Sequence, residues 1–170
     1  LHVHVQCFDL NGPGMEEICV VCTDHDKPMV VHAGREPKSD EYRCDPHDLC
    51  RADRVDRILA QFPDLAVCVP HLGFDEVSEY AALMKAHGNL WLDTAMVLTD
   101  YFPASARPDL QAFPVDRVMY GSDFPNIPYA WDRELKWLAD AGLSDADLAG
   151  IAWGNAVRFF NLDFDGPLGY

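Results

Sequence analysis

Three stretches of this chain end an apolar run in a residue able to bind a metal or move a proton. They are Val31-His32-Ala33-Gly34, Val69-Pro70-His71-Leu72-Gly73 and Met119-Tyr120-Gly121-Ser122-Asp123-Phe124-Pro125. Imidazole and carboxylate both ligate divalent ions, and both act as general acids and bases near neutral pH. Taken singly, each has a plainer account. A strand-end histidine is often a hydrogen-bonded core residue, and an aspartate before Phe-Pro is often a turn or cap residue. Recurrence at three strand ends, each time beside a glycine, favours a shared site. His2-Val3-His4 adds an alternating pair whose side chains share one face of an extended chain. Arg35, just beyond His32, is the candidate partner for a substrate carboxylate, the alternative being a solvated loop arginine.

The elements that must position these residues follow from the hydrophobic pattern. Residues 1–8 alternate as a strand does, and the turn Asn11-Gly12-Pro13-Gly14 leads into a helix bearing Met15, Ile18, Cys19 and Cys22 on one face. A short, wholly apolar strand ending in His-Ala-Gly is expected over 28–34, and further buried strands over 65–70, 90–94, where polar residues again stand at the end, and 117–120. Helices are expected over 46–62, 75–86 and 131–141, with a last helical region from Ser144 through Phe160. Prolines at 103, 108 and 114 predict broken helical turns between residues 101 and 114. Strand and helix thus alternate about five times, which implies a parallel sheet buried on both faces. An open doubly wound sheet and a (β/α) barrel both satisfy that alternation. No glycine-rich phosphate loop follows any strand, which weighs against a dinucleotide-binding version.

The chain has 170 residues, which predicts a single domain over 1–170. Its 28 acids against 13 bases give a formal charge of −15, and this argues against nucleic acid or an anionic membrane as partner. The six cysteines include Cys19-x-x-Cys22, which lies in an apolar-periodic stretch and reads as core rather than as a zinc or redox pair. With no leader, membrane span or lipidation motif visible in these residues, the expectation is a reducing cytoplasm.

Together the three strand-end stretches resemble the successive motifs of the amidohydrolase superfamily, in particular its amidohydrolase-2 branch of decarboxylases, hydratases and hydrolases. Gly154-Asn155-Ala156-Val157-Arg158-Phe159 resembles that branch's C-terminal Asn-Ala helix. The resemblance implies an α/β fold of the TIM-type (β/α)8 class, of which this chain would cover roughly strands 4–8. It implies His32 as the fifth-strand metal ligand, His71 as the sixth-strand acid/base, and Asp123 as the eighth-strand acid that touches the metal and handles a water proton. Only about one β/α unit separates His4 from His32, so His2-Val3-His4 fits the fourth strand. The expected ligand set is His32, Asp123 and His4, and the expected ion is zinc. The implied activity is hydrolysis or decarboxylation of a small carboxylated or cyclic substrate through a metal-activated water. The alternative is a non-catalytic remnant, or a fragment needing a partner chain. A partial barrel would leave edges at 1–8 and 117–120 bare, so a homo-oligomer or pairing with further N-terminal strands is expected.

Overall fold

The computed structural model describes residues 1–35, 37–99 and 108–163. Four parallel strands form its sheet: β1 (Met29–Val30), β2 (Val67–Val69), β3 (Leu90–Asp93) and β4 (Val118–Met119). They lie side by side in chain order, β1-β2-β3-β4, with Met29 opposite Val67, Val67 opposite Leu90 and Leu92 opposite Val118. This order decides between the two candidate architectures. A doubly wound sheet reverses its strand order at a switch point, whereas a barrel adds each strand beside the last, as here. The expected partial (β/α) barrel is what the chain forms.

The helices are short. They comprise α1 (Val3–Gln6), α2 (Pro13–Asp24), α3 (Pro46–Leu49), α4 (Ala52–Gln61), α5 (Val77–Ala86), α6 (Arg133–Ala139), α7 (Asp145–Ala149) and α8 (Asn155–Phe159). The single helix expected over 46–62 is two. Asp45 caps α3 by accepting from the His47 amide, the chain opens at Cys50 and Arg51, and α4 then buries Val55, Ile58 and Leu59. The last helical region is continuous only through a π-helical turn, Gly150–Gly154, between α7 and α8. Of the broken turns expected over 101–114, residues 101–107 lie outside the described residues, and Leu110–Ala112 forms one 3-10 turn. Ser144 caps α7, its hydroxyl accepting from the Asp147 amide at 3.1 Å.

Every residue of β2 is buried, as a strand covered on both faces must be. Val67, Val69, Leu90, Leu92 and Val118 belong to the main core with Val55, Leu59, Tyr80 and Leu138. Cys68, Met119 and the half-buried Trp91 instead pack with Phe159 and Ala156 of α8. Cys19 is buried in the main core, in line with the apolar reading of the Cys19/Cys22 pair.

Two expectations need correction. Residues 1–8 do not form a strand. Only the first residues pair with the sheet: the Leu1 amino group donates to Val30 O, His32 N donates to Leu1 O, the Val3 amide donates to His32 O, and His2 thereby bridges His32 in parallel. From Val3 the chain winds into α1 instead. The edge at 117–120 is also not bare. The Tyr120 amide donates to Ile151 O at 2.7 Å, and Asn155 Nδ2 donates to Val115 O and Val118 O. The C-terminal helices therefore occupy ladder positions that a further strand would otherwise fill.

Candidate functional site

His2 and His32 sit opposite each other across the first bridge, so their side chains leave the sheet on one side, and their rings stack with centroids 4.0 Å apart. The onset of α1 at Val3 turns His4 back toward them, 4.7 Å from the His2 ring and 5.3 Å from the His32 ring. One nitrogen from each of the three lies within 4.8 Å of the others. His4 is buried beneath Tyr42, its ring 4.6 Å away, and beside the Cys50 thiol at 3.9 Å from Nδ1. The Cys7 and Cys44 sulfurs pair as a disulfide, with Cα atoms 6.1 Å apart, against the His4 carbonyl. That bridge has no counterpart in the sequence reading, which treated the cysteines as thiols in a reducing compartment.

Burial, then the neighbouring imidazoles of His71, His2 and His4, pushes His32 down to about 2. Burial also lowers His4. Both are therefore neutral at physiological pH, which is the form that binds metal. His32 Nδ1 is buried with no hydrogen-bond partner among the described residues. An orphaned acceptor amid neutral imidazoles fits a divalent ion.

His71 follows β2 in a segment with φ of +60° at His71, +48° at Leu72, +82° at Gly73 and +55° at Phe74. Such a run of left-handed residues is costly and persists only where the surroundings enforce it. Gly73 is required there, because a Cβ would stand 2.0 Å from the Tyr80 ring. The His71 ring packs against Phe74 at 4.3 Å and edge-on against His32 at 4.8 Å. Its Nδ1 lies 2.8 Å from Ala95 O. A carbonyl only accepts, so Nδ1 carries the proton and Nε2 keeps its lone pair.

Asp93, at the end of β3, is a functional candidate that the sequence reading passed over as merely polar. Its Oδ1 accepts from the amides of His71 and Ala95, each at 3.0 Å. Burial raises its pKa, against His71 and these two amides, and the Asp123 charge adds to the rise. Gly121 makes room for it, since a Cβ there would stand 3.1 Å from Asp93 Cγ. Asp123 itself is half-buried just beyond β4 at φ +57°. It bears on Asp93 and, among the described residues, does not join the histidine group.

Arg35 is turned elsewhere. Its Nε contacts Asp75 Oδ1 at 3.1 Å and Glu76 Oε2 at 3.3 Å, so protein carboxylates take up the guanidinium assigned to a substrate. A second buried acid had no sequence signal beyond its place in an amphipathic helix. Glu134 of α6 accepts from the Leu98 amide at 3.2 Å and from the Tyr129 hydroxyl at 3.3 Å, and burial pushes it up to about 7. It thereby holds the loop that carries Ala95.

A profile of the amidohydrolase family matches residues 1–162. The chain belongs to the amidohydrolase family. This amidohydrolase is 25% identical over 127 residues to a gamma-resorcylate decarboxylase from Polaromonas, an alignment covering 62% of this chain and 37% of that protein. A TIM-barrel protein from Bordetella bronchiseptica superposes with a TM-score of 0.74 at 22% identity, over 91% of this chain and 52% of that one. A dihydroxybenzoic acid decarboxylase from Polaromonas, with bound manganese and the inhibitor 2-nitroresorcinol, superposes at 0.60 and 16% identity, over 91% and 55%. The chain thus spans about half the length, or less, of these relatives.

Proposed function

We propose that this amidohydrolase chain carries the acid/base and metal-binding part of a divalent-metal-dependent decarboxylase or hydrolase acting on a small carboxylated ring compound. The observation that carries this reading is the packing of His71 edge-on against His32, 4.8 Å between ring centroids. That contact sets a proton-moving imidazole beside a ligand-type cluster. The decarboxylase names of the relatives support the substrate class. A bound divalent ion, with zinc the ion first expected, supplies Lewis acidity toward a substrate oxygen. His32 and His4 are its proposed holders, and Asp123 is the further candidate from the sequence.

The protein groups then divide the proton work. His71, with Nδ1–H fixed on Ala95 O, gives and takes a proton at Nε2. Asp123 is the proposed second proton carrier, with Asp93 anchoring the His71 backbone from below. In a decarboxylation, a proton goes to the ring carbon as its bond to the carboxylate breaks and carbon dioxide leaves. Arg35 retains a substrate role only if its contacts with Asp75 and Glu76 open.

The test is carbon dioxide release from 2,6-dihydroxybenzoate and 5-carboxyvanillate by the metal-loaded chain. Turnover that falls about 100-fold or more in His71→Ala and Asp123→Ala is expected. Turnover surviving in His71→Ala, or undiminished by chelation, would refute the assignment. A second reading, a chain silent until further strands or a second copy complete the barrel, is favoured by its spanning about half of its relatives' length. Its signature is metal binding without turnover.

A further inference from the structure

We propose that Glu134 is a positioning residue for His71, acting through Tyr129, Thr99 and the turn over 94–99 to hold Ala95 O against the His71 ring. The inference rests on the proposed acid/base role of His71 only for its effect on turnover. The Ala95 carbonyl fixes the Nδ1 proton of His71 at 2.8 Å and so leaves Nε2 to exchange one. Ala95 lies in a largely buried turn leaving β3, and that turn is clasped at two points. At its start Asp93 Oδ1 accepts from the Ala95 amide at 3.0 Å, and the Thr94 amide donates to Met119 O at 3.0 Å. Toward its end the Leu98 amide donates to Glu134 Oε2 at 3.2 Å. Met96, between the two points, stands at φ +64°, a left-handed conformation that a non-glycine residue keeps only where its surroundings enforce it. Without Glu134 the turn keeps its strain and loses its far anchor.

Glu134 is 0% exposed and comes from α6, so it ties a separate element to the turn. A row of oxygens leads away from it. Oε1 is 3.3 Å from the Tyr129 hydroxyl, that hydroxyl is 3.3 Å from Thr99 Oγ1, and Thr99 Oγ1 is 3.3 Å from Met96 O. Three contacts need three hydrogens. A protonated Glu134 supplies the third: it donates to Tyr129, Tyr129 to Thr99, and Thr99 to the Met96 carbonyl. An ionised Glu134 instead takes the Tyr129 hydrogen, and the two remaining contacts share the one on Thr99. One buried contact beside Ala95 is then unmade.

The surroundings favour the protonated form. Asp93 faces Glu134 from the end of β3, Tyr120 from beyond β4 and Tyr129 from the loop before α6. On α6 and its start, Asp132 pairs with Lys136, and Arg133 lies over the Tyr129 ring at 5.2 Å. Among the described residues no lysine or arginine pairs with Glu134. Burial therefore outweighs the Leu98 and Met96 amides and the Tyr129 hydroxyl, and pushes the acid up to about 7. Raising the pH through that value should loosen the turn.

The test reads the His71 ring itself. In chain labelled with 15N-histidine, long-range 15N–1H correlation shows which nitrogen of each imidazole carries the proton, and His71→Gln identifies the His71 signals. At about pH 8, Glu134→Gln keeps all three hydrogens and should hold His71 as one Nδ1–H tautomer. Glu134→Ala should show both tautomers, and the parent should depart from the Glu134→Gln pattern in a one-proton step centred near 7. In an active chain, kcat at about pH 8 should be about 10-fold to 100-fold lower in Glu134→Ala than in Glu134→Gln, with KM little changed. Asn89→Ala is the control for lost stability, since its amide donates to Leu59, Phe62 and Leu65 carbonyls at the opposite end of β3. It should leave the parent's His71 pattern unchanged. Circular dichroism checks folding, and if Glu134→Ala does not fold, the pH-dependent difference between the parent and Glu134→Gln decides alone. One His71 pattern in the parent and both Glu134 variants, the same change in Asn89→Ala, or equal kcat in Glu134→Gln and Glu134→Ala would overturn the positioning role. A Glu134-dependent His71 pattern in a chain without turnover would instead sink the decarboxylase reading and leave the positioning standing.

Discussion

Glu134→Gln separates a buried neutral carboxyl from a buried carboxylate. Glu134 is fully enclosed, receives hydrogen bonds from the Leu98 amide and the Tyr129 hydroxyl, and titrates at about 7 rather than its ordinary 4.5. Because the folded state holds this proton more tightly, stability is fully present below about 4.5. It then declines as pH rises to about 7, while the unfolded chain has already ionised. One proton over that interval corresponds to about 3 kcal/mol. Glutamine mimics the protonated acid: its carbonyl still accepts from Leu98, and no charge appears at high pH. The difference in unfolding free energy between Glu134→Gln and the parent should therefore move in the variant's favour by about 3 kcal/mol from pH 4.5 to pH 8. Other titrating groups, Asp93 included, are common to both chains and largely cancel. Urea unfolding at several pH values, followed by tryptophan fluorescence, measures this difference. A pH-independent difference would show that Glu134 is ionised in the fold and refute the argument from burial. So would a difference that runs against the variant as pH rises.

Three further outcomes follow from packing. Gly73→Ala should destabilise by about 3 kcal/mol or more, because the residue sits at φ +82° with the Tyr80 ring 2.0 Å from the new methyl; a melting temperature within two degrees of the parent's would contradict this. Asn155→Ala leaves the carbonyls of Val115 and Val118 without their donor, and should cost about 2–4 kcal/mol in urea unfolding. Reduction of Cys7–Cys44, separated by 37 residues, should lower the unfolding free energy by about 3–4 kcal/mol, read by comparing denaturation with and without dithiothreitol.

The strand ends were legible because a buried parallel strand writes two signals in one place. An unbroken apolar run gives its position, and a following His-Gly or Gly-Ser-Asp gives its exit. His32, His71 and Asp123 were found in this way, as was the order of β and α units. Asp93 ends the same kind of run, in Leu90-Trp91-Leu92-Asp93, and the signal was present but unused. Glu134 left no such trace, since a helix acid is ordinarily solvated and only the loop folded over it makes it buried.

The first eight residues failed for a different reason. Alternation measures what a segment would do if both its neighbours were strands, and here β1 is two residues long and the ladder beside it ends at the Val3 amide. Beyond the bridge the backbone must satisfy itself, and a helical turn does so at once through the Gln6 amide and His2 carbonyl. That same failure produces the histidine cluster. In a continuous strand His2 and His4 would stand two residues apart along one face, about 6.6 Å between Cα atoms, with only one of them opposite His32. Winding at Val3 brings the second imidazole back over the first. The donor geometry of this chain therefore depends on how short β1 is, a property of the fold that neither histidine spacing nor composition can express.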